Sequence, residues 1–210
     1  MPYLTIARNF AHEQTIKKSR FICSLARISN ENEAQSFIAT ITKQEHKANH
    51  HCFAYQLGPN DEIQRESDDG EPSGTAGVPI LQSLQLLEVH DVVAVVTRYF
   101  GGIKLGAGGL IRAYSNSTSD AVHAAGLVTI IEQATLNLKI AYADHDALIY
   151  FLKKNDLHVA DEQYGVDVLV SIFVDQDKVE AVQNKIINLL QNRISISVGD
   201  SHFNEVPYEN

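Results

Sequence analysis

The sequence predicts an α+β protein built as two sandwiches, and three observations predict it. From Ala134 onward, strand and helix patterns follow the order strand-helix-strand-strand-helix-strand, which is the ferredoxin-like arrangement. Upstream, the apolar run Val92 to Val96 leads into five glycines within the nine residues 101–109, and an amphipathic stretch follows. That reads as strand, glycine loop and helix. The charge also shifts: residues 1–130 hold 11 Lys/Arg against 13 Asp/Glu, whereas residues 131–210 hold 6 against 13. These features divide the chain into an N-terminal domain over 1–130 and a C-terminal domain over 133–210, with the break between Gly126 and Glu132.

Each element has a local reason. Ser19 to Ile28 alternates as a strand with Phe21, Cys23 and Leu25 inward. Asn30 caps a helix from Glu31 to about Gln44 that buries Ala34, Phe37, Ile38 and Ile41. Cys52 to Leu57 and Glu62 to Arg65 form a hairpin across Gly58-Pro59-Asn60-Asp61. A helix from Gly77 to Val89 carries Ile80, Leu81, Leu84 and Leu87, and Asp91 to Phe100 is the buried strand. Gly109 to Ala125 is a helix with Ala113, Ser117, Ala121 and Ala125 on one stripe, ended by Gly126. In the second half, Ala134 to Ala141 is a strand and Asp144 caps a helix bearing Leu148, Phe151 and Leu152. Leu157 to Gln163 and Val166 to Val174 pair around Tyr164-Gly165. Asp175 or Asp177 caps a helix with Val179, Val182 and Ile186, and Arg193 to Val198 closes the sheet.

Bulk properties narrow the function classes. The chain has 210 residues, 44% of them hydrophobic, enough for packed cores. No apolar run approaches the ~20 residues of a membrane span, and the start Met1-Pro2-Tyr3-Leu4-Thr5-Ile6 is unlike a signal peptide. The 2 cysteines, Cys23 and Cys52, are expected as free buried thiols of a cytoplasmic protein. A net charge of -9 opposes a general polyanion binder, although the first half leaves room for a local basic patch.

Two loops carry the candidate chemistry. Gly101, Gly102, Gly106, Gly108 and Gly109 open a helix, where unpaired N–H groups and the positive dipole end suit an anion. Close packing alone is the other reading. Arg98, Lys104 and Arg112, close in sequence, favour an anion site. The spacing fits neither a phosphate-binding P-loop nor a dinucleotide fingerprint. In the second loop, Ser73 or Thr75 caps the following helix, and the amides of Gly74 to Gly77 form an N–H-rich wall facing the first loop. Its carboxylates Asp68, Asp69 and Glu71 read first as turn formers and otherwise as a Mg²⁺ site. No catalytic triad, metal-binding histidine spacing or cofactor motif is legible, so no catalytic residue, metal or cofactor is assigned.

Asp68-Asp69-Gly70-Glu71-Pro72-Ser73-Gly74-Thr75-Ala76-Gly77, then Arg98-Tyr99-Phe100-Gly101-Gly102 and Leu105-Gly106-Ala107-Gly108-Gly109-Leu110-Ile111-Arg112-Ala113-Tyr114, resemble the IMPACT/YigZ family. Lys18-Ser19-Arg20-Phe21-Ile22 and His50 with Cys52, Ala54 and Tyr55 extend the likeness, and it covers essentially the full length. Asn49 departs from it, standing where a basic residue is expected. The resemblance implies an N-terminal domain like the second domain of a small-subunit ribosomal protein and a C-terminal domain like those of elongation factor G. Eukaryotic IMPACT proteins bind a ribosome-associated activator of a starvation-response kinase and modulate translation. That partner does not transfer to the bacterial branch.

The expectation is a non-enzymatic protein linked to translation that binds RNA, the ribosome or a translation factor through the glycine-rich loops. Two alternatives stand beside it. One is a nucleotide- or phosphometabolite-binding protein or enzyme using the Gly101 to Gly109 loop, hence a phosphate-bearing ligand. The other is an interaction regulator whose acidic C-terminal domain docks a basic partner. No membrane is expected as partner, and the sequence leaves the oligomeric state open.

Overall fold

The computed structural model describes residues 2–58 and 60–208. Pro59, in the turn expected over 58–61, lies outside them. The elements are β1 (Tyr3–Ile6), β2 (Phe10–Ile16), β3 (Ser19–Arg27), α1 (Glu31–Gln44), β4 (His50–Leu57), β5 (Ile63–Ser67), α2 (Gly77–Leu86), β6 (Val92–Tyr99) and α3 (Ala107–Ala125). β7 (Leu127–Ile140), α4 (Tyr142–Lys154), β8 (Val159–Tyr164), β9 (Val168–Asp175), a 3-10 turn (Gln176–Lys178), α5 (Val179–Leu189) and β10 (Ile194–Pro207) follow. The chain divides into two compact units: residues up to Thr129 together with the chain end from Val206, and Ile130–Glu205.

In the first unit the strands run in the order β2-β3-β6-β4-β5, every pair antiparallel. β6 is apolar without alternation because both of its faces are covered. Val92, Ala94 and Val96 pack with Ile80 and Leu84 of α2 and with Ala113, Ala121 and Ala125 of α3. Val93 and Val95 pack with Ala34 and Ile41 of α1. Asn30 caps α1, its side chain accepting from Glu33 N at 3.0 Å, while Glu33 reaches back to Ser29 N at 2.7 Å. This reciprocal pairing satisfies two N–H groups at the helix entrance. Cys23 and Cys52 both lie opposite Val96, on either side of it, as free and buried thiols. Burial pushes the Cys23 thiol up to about 12.

β1 and β2 were not expected. In β2 the half-buried face is Phe10, His12, Gln14 and Ile16, so polar residues interrupt the apolar alternation. On this face Gln14 Nε2 donates to Ser117 Oγ on α3 at 2.8 Å. Lys17 and Lys18, both with positive φ, form the two-residue turn from β2 to β3.

The second unit has the order β7-α4-β8-β9-α5-β10, with β9 between β7 and β8 and β10 on β7. This is the expected ferredoxin-like arrangement. Its core joins Leu136, Leu138 and Ile140 of β7 to Val168, Val170, Ile172 and Val174 of β9, covered by Leu148, Leu152 and Ile186. Several details differ from expectation. Asp144 does not cap α4, whose N-cap is Ala141. It is buried in the first turn, where Arg193 Nη2 donates to it at 2.9 Å. Neither Asp175 nor Asp177 caps α5, because the 3-10 turn intervenes and Asp175 accepts from Gln133 and Lys178 instead. No linker marks the division of the two units, which falls between Thr129 and Ile130 and so between Gly126 and Glu132: Gly126 ends α3 with φ 77°, and β7 begins at the next residue. β1 is part of the β7 sheet, while β2 to β6 form a sheet of their own. A strand of 14 residues is long enough to belong to both units, and it offers hydrogen-bonding edges along its whole length. No helix among the described residues is long and apolar enough to cross a membrane.

Candidate functional site

The two loops are organised by a buried polar network. Arg98 follows Val92, Ala94 and Val96 on the α2/α3 face of β6, so alternation drives its side chain into the core. Its guanidinium donates from Nη1 to Glu71 Oε1 at 2.5 Å, and the two side chains are only 6% and 4% exposed. Tyr114 of α3 donates its hydroxyl to the same oxygen at 2.9 Å. Cys52 Sγ lies 3.3 Å from Tyr114 Oη and 2.9 Å from the Asp68 carbonyl oxygen. The rings of Phe21 and Phe100 flank the Arg98 guanidinium at 5.4 Å and 5.5 Å. Arg98 is therefore not a free cation for an anionic ligand, as its place in the sequence suggested. Its charge is neutralised inside the fold.

The acidic loop is likewise committed to the protein itself. Asp68 Oδ1 accepts from Ala76 N and Gly77 N, each at 2.9 Å, and Oδ2 from Gly74 N at 2.8 Å. The cap of α2 is thus Asp68, eight residues upstream of the N-cap residue, and neither Ser73 nor Thr75. The Thr75 hydroxyl donates to Pro72 O at 2.6 Å and Ser73 is exposed. Of the amides expected as an N–H-rich wall over Gly74 to Gly77, those of Gly74, Ala76 and Gly77 are taken by the chain's own carboxylate and that of Thr75 by Pro72 O. Asp69 accepts from His51 N at 2.6 Å, and its carbonyl oxygen accepts from His50 Nδ1 at 2.8 Å. Asp68, Asp69 and Glu71 therefore point to three different partners, and no cluster suited to a metal ion occurs among the described residues.

Burial pushes the Asp68 carboxyl up, but the N–H bonds from Gly74, Gly77 and Ala76 outweigh it and hold the pKa below the usual carboxylate value. A carboxyl depressed on folding stabilises the fold above its unfolded pKa of about 3.9 and loses that contribution as pH falls through the folded value. Asp68→Ala is accordingly expected to cost about 1–2 kcal/mol at neutral pH, with the difference from wild type shrinking below about pH 4. Urea melts across that range would show it.

The glycine loop remains open. α3 begins at Ala107, two residues earlier than expected, so Gly108 and Gly109 belong to its first turn and only Gly101, Gly102 and Gly106 to the loop. The N-cap is Gly106 at φ 73° with no side-chain cap. Gly101 is pressed onto the β2–β3 turn, where a Cβ would lie 2.0 Å from the Lys18 carbonyl. Its N–H donates to Ser19 Oγ at 3.1 Å, and Phe100 N donates to Asn49 Oδ1 at 2.8 Å. Neither Ser19 nor Asn49 was expected to hold this loop. Both are small polar residues whose partners lie far away in sequence, so no local pattern marks them. Lys104 and Arg112 are exposed, as are Lys17 and Lys18 on the adjoining turn, and among the described residues none of the four has a carboxylate partner. Phe100, Ile103 and Ile111 are exposed in the same segment.

A family model described as the Impact N-terminal domain matches residues 17–122, and a domain of unknown function (DUF1949) matches residues 138–193. The chain is 42% identical over 201 residues to IMPACT family member YvyE of Bacillus subtilis, covering 94% of this chain and 91% of that protein. It is 32% identical over 185 residues to IMPACT family member YigZ of Escherichia coli, covering 87% and 91%. Protein IMPACT-B of Xenopus tropicalis is similar over 97 residues at 34% identity, 44% of this chain and 30% of that protein. The crystal structure of a hypothetical protein superposes with a TM-score of 0.61 at 29% identity, covering 95% of this chain and 98% of that one. A domain match over half of the chain and bacterial relatives aligned along nearly their whole length leave one assignment: the chain belongs to the IMPACT family.

Proposed function

We propose that this protein is a non-catalytic binding module linked to translation, and that it takes an RNA-bearing surface, above all that of the ribosome, on the glycine-loop end of its first unit. One observation carries the reading. In a chain of net charge -9, four exposed cations have no carboxylate partner among the described residues: Lys104 in the glycine loop, Arg112 in the first turns of α3, whose N-terminus has no side-chain cap, and Lys17 and Lys18 on the turn against which Gly101 is pressed; Phe100, Ile103 and Ile111 of the same segment are exposed. Cations and free N–H groups suit phosphate, and an exposed aromatic ring suits an unstacked base. The link to translation rests on the family resemblance.

The buried cluster supports a non-catalytic role. Burial pushes the Cys52 thiol up to about 12, and burial followed by Cys52 and Glu71 raises the Tyr114 hydroxyl above its ordinary value. Neither ionises near neutral pH, so neither serves there as a nucleophile or base.

Co-sedimentation with ribosomal subunits, and titration of a fluorescent single-stranded RNA, each over a salt series, test the reading. The Lys104→Ala/Arg112→Ala protein should bind at least about tenfold more weakly than wild type and show a shallower salt slope. Its urea melt should be unchanged, since both side chains are exposed. Equal binding by the two proteins, or binding indifferent to salt, would refute it.

A further inference from the structure

On the second unit, the start of α4 and the β8–β9 hairpin expose aromatic rings beside carboxylates. Tyr142 and Tyr164 are 54% and 61% exposed, with ring centroids 6.3 Å apart. The Tyr142 hydroxyl donates to Gly165 O at 2.9 Å, which fixes its ring over the hairpin turn. The Tyr164 hydroxyl donates to Glu162, and His145 Nε2 lies 3.3 Å from the same carboxylate. His145 Nδ1 is 3.6 Å from Asp146, whose side chain is fully exposed, and the His145 ring sits 5.9 Å from that of Tyr164. Val166 at the hairpin tip is 96% exposed. Isolated exposed apolar residues need no explanation. Here the two rings lie beside one another and each hydroxyl is held by a hydrogen bond, so little further ordering is needed to present them as one surface.

We infer that this Tyr142–Tyr164 surface, flanked by Asp146 and Glu162, binds arginine- or lysine-rich segments of a partner protein. Ring faces carry negative potential and attract a guanidinium or ammonium group, and an adjacent carboxylate supplies a hydrogen-bonded ion pair to the same group. The charge of the whole half agrees, with 6 Lys/Arg against 13 Asp/Glu over residues 131–210. Three of those cations are already paired, Lys139 with Asp167, Lys178 with Asp175 and Arg193 with Asp144. An acidic surface of this kind repels nucleic acid and steers a basic chain toward it. The site is independent of the glycine-loop surface.

Anisotropy of a fluorescent octa-arginine peptide titrated with the full chain tests the inference. Tyr164→Ala should weaken binding about three- to fivefold, Glu162→Gln by a similar factor, and the two together tenfold or more. Tyr164→Phe should bind like wild type, because it keeps the ring. Asp200→Asn, exposed and in β10, should change binding less than about twofold, and Lys104→Ala/Arg112→Ala should leave it unchanged. No binding by wild type, an unaffected double variant, or an equal loss in Asp200→Asn would each overturn the site. The last outcome would mean only diffuse attraction by the acidic half.

Discussion

Glu71→Ala should be among the most damaging single substitutions in the protein, lowering the unfolding free energy by about 3–5 kcal/mol. Glu71 Oε1 is the common acceptor for Arg98 Nη1 and for the Tyr114 hydroxyl, and both donors are buried. Removing the carboxylate leaves a guanidinium 6% exposed with no counter-charge. Its remaining partner is Ser19 Oγ at 3.5 Å, and its Nε is already without one among the described residues. Tyr114→Phe removes the hydroxyl that donates to Glu71 and lies 3.3 Å from Cys52 Sγ while preserving the ring edge-on to Phe21, so about 1–2 kcal/mol is expected. The double variant Glu71→Leu/Arg98→Met should recover much of the loss, because desolvating two charges is itself costly. Urea denaturation of the four proteins measures all of this. A loss below about 1 kcal/mol for Glu71→Ala would mean that water enters to solvate Arg98 and that the network does not hold the loops.

Gly101→Ala should destabilise by about 1–3 kcal/mol or more, whereas Gly108→Ala should stabilise by about 0.5–1 kcal/mol. The glycines of the loop look alike in sequence and differ in surroundings. At Gly101 a Cβ would sit 2.0 Å from the Lys18 carbonyl carbon and oxygen and 2.5 Å from Ser19 N. Backbone atoms cannot swing away as a side chain does. The loop must lift off the β2–β3 turn, which breaks the Gly101 N bond to Ser19 Oγ. At Gly102 and Gly106 a Cβ meets nothing within 4 Å, but φ is 83° and 73°, so alanine there pays only backbone strain of about 1 kcal/mol. Gly108 is helical and open, so alanine simply restricts the unfolded chain. Thermal melts of the four single variants should fall in that order. Gly101→Ala melting with wild type would show that the loop does not rest on the turn.

Much of the fold was legible because it rests on local rules. The cap at Asn30, the glycine stop at Gly126, the small-residue stripe of α3 and the two-faced burial of β6 all follow from spacing alone. The ferredoxin-like order of the second unit follows from alternating strands and amphipathic helices. β2 escaped because His12 and Gln14 stand where apolar residues would signal a strand, and the partner of Gln14, Ser117, lies 103 residues away. The length of β7 escaped because Ile130-Ile131-Glu132-Gln133 shows no alternation.

For the candidate site the division is sharper. Sequence alone marked both loops, the glycines, and the cations at 98, 104 and 112, since composition and proximity along the chain are enough to find them. Only tertiary structure decided which of these are available to a ligand. Strand alternation placed Arg98 in the core and folding brought Glu71 to it, so a charge that reads as a ligand contact became an internal ion pair. Asp68 closed over the amides of Gly74, Ala76 and Gly77, which a sequence leaves looking free. Lys104 and Arg112 stayed exposed, and the β2–β3 turn added Lys17 and Lys18 beside Gly101. Whether a charge is free depends on what occupies the next few ångströms, and for buried groups those neighbours come from distant parts of the chain.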